Sequence, residues 1–208
     1  MTDAPSIALI ANGSIHDYRL MASLIAQYDR KIAVDGGLDH CHAMGIIPDL
    51  IIGDLDSANL ETLSLYPNVP KKIFPAEKDY SDMELALRAA ISGKVKKLGI
   101  FGAMEKRVDH ALSNLYLLRR LPGIAVIETD QETITYVTGN QSINCKQNQV
   151  ISLIPLEDQV SGVTTRGLKW ELNDVTLTKD FFSLSNICLN SFFEINIQQG
   201  SLLCCLVR

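Results

Sequence analysis

Short apolar runs alternate with longer stretches of helical period through the first part of the chain. Ile7–Ala11 reads as a strand that ends at Asn12-Gly13, and a helix from about Tyr18 to Tyr28 follows it. Ile32–Val34 and Leu50–Gly53 are the next strands, ending at Asp35-Gly36-Gly37 and at Asp54-Leu55-Asp56-Ser57. A helix near Asn59–Leu65 precedes a short strand, Lys72–Phe74. Met83, Leu87, Ala90 and Ile91 then fall at helical spacing. Lys97–Phe101 is a strand ending at Gly102; Val108, Leu112, Leu115 and Leu118 line a helix, and Ile124–Ile127 opens another strand. Strands alternating with helices predict βαβ units and a parallel sheet.

From about Asp130 the helical period is lost. Thr133–Val137, Gln149–Ile154, Gly162–Thr165, Asp174–Leu177, Phe192–Ile197 and Ser201–Val207 are β-rich runs separated by polar or Gly-containing turns. The expected fold is therefore α/β: a doubly wound, mostly parallel sheet as N-terminal domain over residues 1–129, then a small all-β sandwich domain over 130–208. The second domain is small for independent stability and is expected to pack on the first or on a partner subunit.

The chain is 47% apolar and carries a net charge of −5, enough for a sizeable core and unsuited to general binding of nucleic acid or a membrane surface. Its start, MTDAPSIALIANG, has an early acid and lacks the build of a signal peptide, and no apolar run reaches spanning length. Five cysteines without C-x-x-C spacing suit reduced thiols in a cytoplasmic protein.

Ala33–Ser57 holds Asp35, Asp39, Asp49, Asp54 and Asp56 and not one Lys or Arg. On an extended backbone residues i and i+2 point the same way, so Asp54 and Asp56 are expected to leave the third strand on one side. Two like charges about 4 Å apart repel by about 4 kcal/mol at an intermediate dielectric. The neighbouring sequence supplies no base to offset them, which leaves a hard divalent cation. The other unusual clusters also stand at strand ends: Asn12-Gly13, Asp35-Gly36-Gly37, Lys78-Asp79-x-Ser81-Asp82, and Gly102 followed by Arg107-x-Asp109-His110. In open parallel sheets ligands bind outside those ends.

Glycines there let backbone N–H groups approach a phosphate, Lys78 and Arg107 can neutralise its oxygens, and aspartates suit Mg²⁺. No P-loop or G-x-G-x-x-G occurs. Plainer readings attach to some residues. Ser81 and Glu84 form a capping box, Asp82 also complements a helix dipole, and Asp49 after Pro48 suits a turn. Asp39 reads as solvated surface and His110 as a helix residue within hydrogen-bonding reach of its neighbours. Adjacent positions on a helix diverge, so His40-Cys41-His42 cannot close on one ion.

The pattern D-G-G…G-I-x-P-D-x-I-I-G-D-x-D-S, then K-D-x-S-D-x-E-x-A-L, then G…R-x-D-H-x-x-x-N resembles the thiamine pyrophosphokinase family over nearly the whole chain. Gly167-Leu168-Lys169-Trp170 and Ser185-Asn186 are similar to that family's second-domain motifs. The resemblance implies a homodimer whose α/β domain binds Mg-ATP and whose subunits enclose thiamine. It implies transfer of the β,γ-diphosphate of ATP to the thiamine hydroxyl, with release of AMP. By motif, Asp54, Asp56 and Asp82 would hold Mg²⁺. Asp35, Arg107 and Asp109 would line the nucleotide region, with Lys78 and Ser81 nearby and Asn12, Gly13 and Gly36 on the same edge. Trp170, Ser185 and Asn186 would face thiamine. Leu55 and Ser81 stand where the family commonly has Phe and Thr, and Ala103-Met104-Glu105-Lys106 is poor in glycine. Two alternatives stay open: a diphosphokinase acting on a hydroxymethyl pterin, and a non-catalytic nucleotide sensor.

Overall fold

The computed structural model describes residues 4–104 and 106–208. It divides into two compact units, one comprising the chain up to Leu117 with Ile127–Asp130, the other Leu118–Val126 with Gln131–Arg208.

The first unit runs β1 (Ser6–Ile10), α1 (Tyr18–Ile25), β2 (Arg30–Val34), α2 (Gly37–Ala43), β3 (Leu50–Gly53), α3 (Leu60–Ser64), β4 (Lys71–Ile73), α4 (Asp82–Ala90), β5 (Lys97–Phe101) and α5 (Val108–Leu117). A 3₁₀ turn at Leu118–Arg120 and β6 (Ala125–Glu128) follow at the junction of the two units. The strands pair in parallel in the order β5-β1-β2-β3-β4. Ala8, Leu9 and Ile10 of the central strand β1 are wholly buried, as expected of a strand covered on both faces.

Polar side chains fix the helix starts. Asp17 accepts from the Leu20 amide at 2.9 Å, Asn59 from Glu61 at 2.8 Å, and Ser81 from Glu84 at 3.2 Å, each satisfying an orphan donor of a first turn. α1 stops at Ile25, short of the expected Tyr28, whose buried ring instead meets Phe101 edge-on at 5.7 Å.

The second unit is two antiparallel sheets, β12-β9-β14-β7 and β11-β10-β13-β8. Its strands are β7 (Glu132–Val137), β8 (Asn140–Asn144), β9 (Val150–Pro155), β10 (Gln159–Arg166), β11 (Val175–Thr178), β12 (Ser183–Ile187), β13 (Phe192–Asn196) and β14 (Leu202–Val207). Ile151, Leu153, Leu202 and Cys204 of one sheet share a core with Val160, Val163, Phe193 and Ile195 of the other. This is a small sandwich.

Three elements escape a reading by apolar pattern. α2, Gly-Leu-Asp-His-Cys-His-Ala, buries only Gly37, Leu38 and Cys41. β8, Asn-Gln-Ser-Ile-Asn, is an edge strand with a single apolar residue. β12 is interrupted by a register shift between Ser183 and Asn186. The expectation of five reduced thiols is also corrected, because Cys145 and Cys188, 43 residues apart in sequence, are joined as a disulfide. Spacing could not foresee this, since the two residues meet only once β8 and the end of β12 are folded. Cys41, Cys204 and Cys205 are free and buried.

Candidate active site

Winding proceeds from β1 through β2 and β3 to β4, and then β5 returns to the other side of β1. A crevice lies at this switch point, at the carboxyl ends of the strands where such sheets take their ligands. It has a volume of about 630 Å³, and its lining includes Asn12, Gly13, Asp35, Asp54, Asp56, Ser57, Ser81, Asp82, Lys106, Arg107 and Asp109. Nine residues expected at the site are thus brought together from five segments. Gly36 and Lys78 are not on the wall.

On the acidic side, one carboxylate oxygen from each of Asp35, Asp54 and Asp56 lies within 4.8 Å of the others. They do not converge as residues i and i+2 of an extended strand. β3 ends at Gly53, Leu55 has φ of +63°, and the Asp56 amide donates back to Asp54 Oδ1 at 3.3 Å. A turn, not strand alternation, brings the pair together.

A base is present after all. Lys78 Nζ lies 2.6 Å from Asp54 Oδ2 and 3.0 Å from Asp82 Oδ1, with 13% of its side chain exposed. Its hydrogen bond is the main reason the Asp54 carboxyl is held below its ordinary range, and Asp54's charge in turn pushes Asp56 up. Asp82, expected with Asp54 and Asp56 on the metal, is engaged by Lys78, and Asp35, expected to line the nucleotide region, stands beside Asp54 and Asp56. Asp35 Oδ1 is buried without a hydrogen-bond partner. Three converging carboxylates, one with an orphaned oxygen, fit a hard, oxygen-preferring cation.

On the basic side, Arg107 forks onto Asp109, Nη2 to Oδ2 at 2.6 Å and Nε to Oδ1 at 3.1 Å. Both side chains are more than 60% exposed. This fork is the chief cause that lowers the Asp109 carboxyl to about 2. Lys106 was missed by the sequence reading, although its ammonium donates to Asn12 Oδ1 at 2.9 Å inside the crevice. Its φ of +58° aims it there, and nothing in the letters Met-Glu-Lys-Arg announces a left-handed lysine. Glu105 of that segment lies outside the described residues.

Ser57 was also undervalued. Its hydroxyl donates to Asp35 Oδ2 and accepts from Asn12 Nδ2 at 3.0 Å and from the Gly36 amide at 3.3 Å. The glycines, expected to open backbone to phosphate, serve close packing. The Gly13 amide donates to Gly102 O at 2.6 Å, and a Cβ on Gly13 would stand 2.3 Å from that oxygen. A Cβ on Gly36 would stand 2.4 Å from Asn12 Nδ2. His40 steadies the same loop, with Nε2 2.7 Å from Gly13 O and Nδ1 2.8 Å from the Tyr18 hydroxyl. Burial lowers its basicity, so a neutral ring donates to Gly13 and accepts from Tyr18.

Asp39 is not solvated surface. Its Oδ1 is buried without a partner and Oδ2 accepts from the Asn59 amide at 3.3 Å, because α3 folds over α2. Asp49 is a structural turn residue, pairing with Lys31 through its amide and its carboxylate, both at 2.7 Å.

In the second unit Trp170 is 55% exposed, with Lys169 Nζ 4.6 Å from its ring centre. Asn186 has 2% exposure, and its amide group clamps Trp170 from both sides, accepting from Trp170 N at 3.1 Å and donating to Trp170 O at 2.7 Å. Its recorded hydrogen bonds all go to backbone, to Trp170 and Ile187. Ser185 is exposed, has φ of +55°, and gives its amide to Ser152 Oγ at 3.1 Å.

The fold is α/β, with acids and bases lining one crevice at its switch point. Two family models match the chain, the thiamin pyrophosphokinase catalytic domain over residues 21–127 and the thiamin pyrophosphokinase vitamin B1 binding domain over 140–202. The chain belongs to the thiamin pyrophosphokinase family. The thiamine pyrophosphokinase of Bacillus subtilis (strain 168) is 29% identical over 206 residues, covering 95% of this chain and 96% of that one. A crystal structure of the Bacillus subtilis protein superimposes with a TM-score of 0.85 at 26% identity, over 97% of this chain and 98% of that one. That from Geobacillus thermodenitrificans, at 24% identity, shares the fold with the same TM-score over 98% and 97%. Neither the pterin acceptor nor the sensor is favoured by these matches. Among the described residues no helix is long and apolar enough to cross a membrane.

Proposed function

We propose that the protein transfers the β,γ-diphosphate of ATP to the hydroxyl of thiamine, giving thiamine diphosphate and AMP, with Mg²⁺ as the metal. The observation that carries this reading is a crevice at the β1/β5 switch point lined by both acids and bases. Asp54, Asp56 and Asp35 would hold the metal, with Asp82 beside them. When bound, Mg²⁺ would neutralise charge on the polyphosphate oxygens.

The chain's own groups supply the rest. Arg107 and Lys106 stand opposite the acids and can exchange Asp109 and Asn12 for phosphate oxygens, balancing charge on the departing AMP. The thiamine oxygen attacks the β-phosphorus in line, the bond to the α-phosphate oxygen breaks, and the hydroxyl proton leaves to a carboxylate.

Trp170, held out by Asn186, is the second unit's candidate for stacking on thiamine, with Ser185 nearby. Trp170, Phe181, Phe182, Leu184 and Phe192 of this unit are exposed, which supports burial against a second copy in a homodimer. Incubation with Mg-ATP and thiamine should yield AMP and thiamine diphosphate. Release of ADP with thiamine monophosphate would refute diphosphate transfer.

A further inference from the structure

We propose that Lys78 is a resident counter-ion of the acid cluster, one that holds the site together without metal and keeps free divalent cations from loading it ahead of the nucleotide. This rests on reading the crevice as a Mg²⁺–ATP site. Asp35, Asp54, Asp56 and Asp82 bring four negative charges to one rim, and among the described residues Lys78 supplies the one positive charge bonded to them. Lys78 reaches two acids from different segments, Asp54 after β3 and Asp82 at the first position of α4. It therefore ties the β3 end to the helix that follows β4.

Its setting, behind Asp54 and Asp82, differs from that of the cations that line the crevice. Arg107 is 68% exposed on an exposed partner, so its fork can be exchanged for a ligand at little cost, whereas the Lys78 side chain is 13% exposed. An ammonium withdrawn that far from water is held only while carboxylates surround it. A divalent cation that draws on Asp54 must share that carboxylate with the ammonium or displace it. Like charges a few ångströms apart in a partly dry site repel strongly. A triphosphate removes the conflict by bringing several negative charges and oxygens that can accept from Lys78. Metal and nucleotide then enter together, and binding of the metal alone stays weak.

The test is Mg²⁺ binding by titration calorimetry to the metal-stripped, full-length protein without nucleotide. Wild type should bind weakly, Lys78→Met at least ten-fold more tightly, and Lys78→Arg like wild type. Unchanged or weaker Mg²⁺ binding by a folded Lys78→Met protein overturns the proposal. Thermal unfolding in EDTA supplies a second reading. Lys78→Met should melt below wild type, and Mg²⁺ should raise its midpoint by more than it raises that of wild type. Should Lys78→Met be unfolded in EDTA, Mg²⁺ must restore it, and failure to do so also overturns the proposal. The underlying reading is checked separately by wild-type conversion of ATP to AMP. Turnover that needs no divalent cation removes the metal site itself, whereas Mg²⁺-dependent turnover without tightening in Lys78→Met removes only the role given to Lys78.

Discussion

The two units use polar side chains in opposite ways. In the first, carboxylates gather at strand ends with more negative charge than Lys78 offsets, and one Asp35 oxygen has no partner at all. In the second, a buried amide is spent largely on the fold. Asn186 accepts from Trp170 and Ile187 and donates to Trp170, and what it leaves exposed is the indole. A polar residue left short of partners is available for chemistry, while one whose bonds go mainly to its own backbone neighbours positions something else. The difference teaches that a motif residue's role depends on whether its hydrogen-bonding capacity is used up within the fold.

That contrast can be broken at several points. Asp56→Asn should lower kcat at least 100-fold, about 2.7 kcal/mol of barrier, with an unchanged circular dichroism spectrum. A variant keeping more than about a tenth of the rate would take Asp56 out of the site. Asn186→Ala should act through scaffold, leaving a carbonyl and an amide of the Trp170 segment unpaired at a cost of about 1–3 kcal/mol in stability. Urea unfolding measures this, and KM for thiamine should rise while KM for ATP holds. Trp170→Ala should spare stability and raise KM for thiamine alone, and thiamine should perturb the fluorescence of the wild-type indole, the single tryptophan of the chain.

The smallest effect belongs to the Arg107–Asp109 fork. The carboxyl of Asp109 is lowered in the fold, so the fork's contribution is complete above the ordinary carboxylate value of about 4 and is lost as pH falls towards about 2. An NMR titration of the Asp109 carboxyl should show that low midpoint in wild type, and Arg107→Ala should return it upward.

The alternation of β1, β2, β3 and β5 with helices was legible because buried parallel strands carry apolar runs, and the clustering of acids was legible because they follow those runs. α2 and β8 were not, since α2 buries three residues and β8 has one apolar side chain. Among site residues, Asp35, Asp54, Asp56 and Asp109 could be picked out as unusual acids at strand ends. Lys78 was noticed for phosphate but sits on carboxylates, because a pairing across 24 residues is visible only in three dimensions. Lys106 depends on a left-handed backbone, and Ser57 on three partners from two separate loops. No local pattern encodes either.

The Asn12–Gly13 loop has a consequence of its own. It is tied on one flank by the Gly13 amide to Gly102 and on the other by the imidazole of His40, with Ser57 pinning Asn12 from above. All of these ties are made by the protein to itself. The floor of the crevice is therefore preorganised: its ordering entropy is spent when the chain folds, and an arriving nucleotide has only the charged rim left to rearrange.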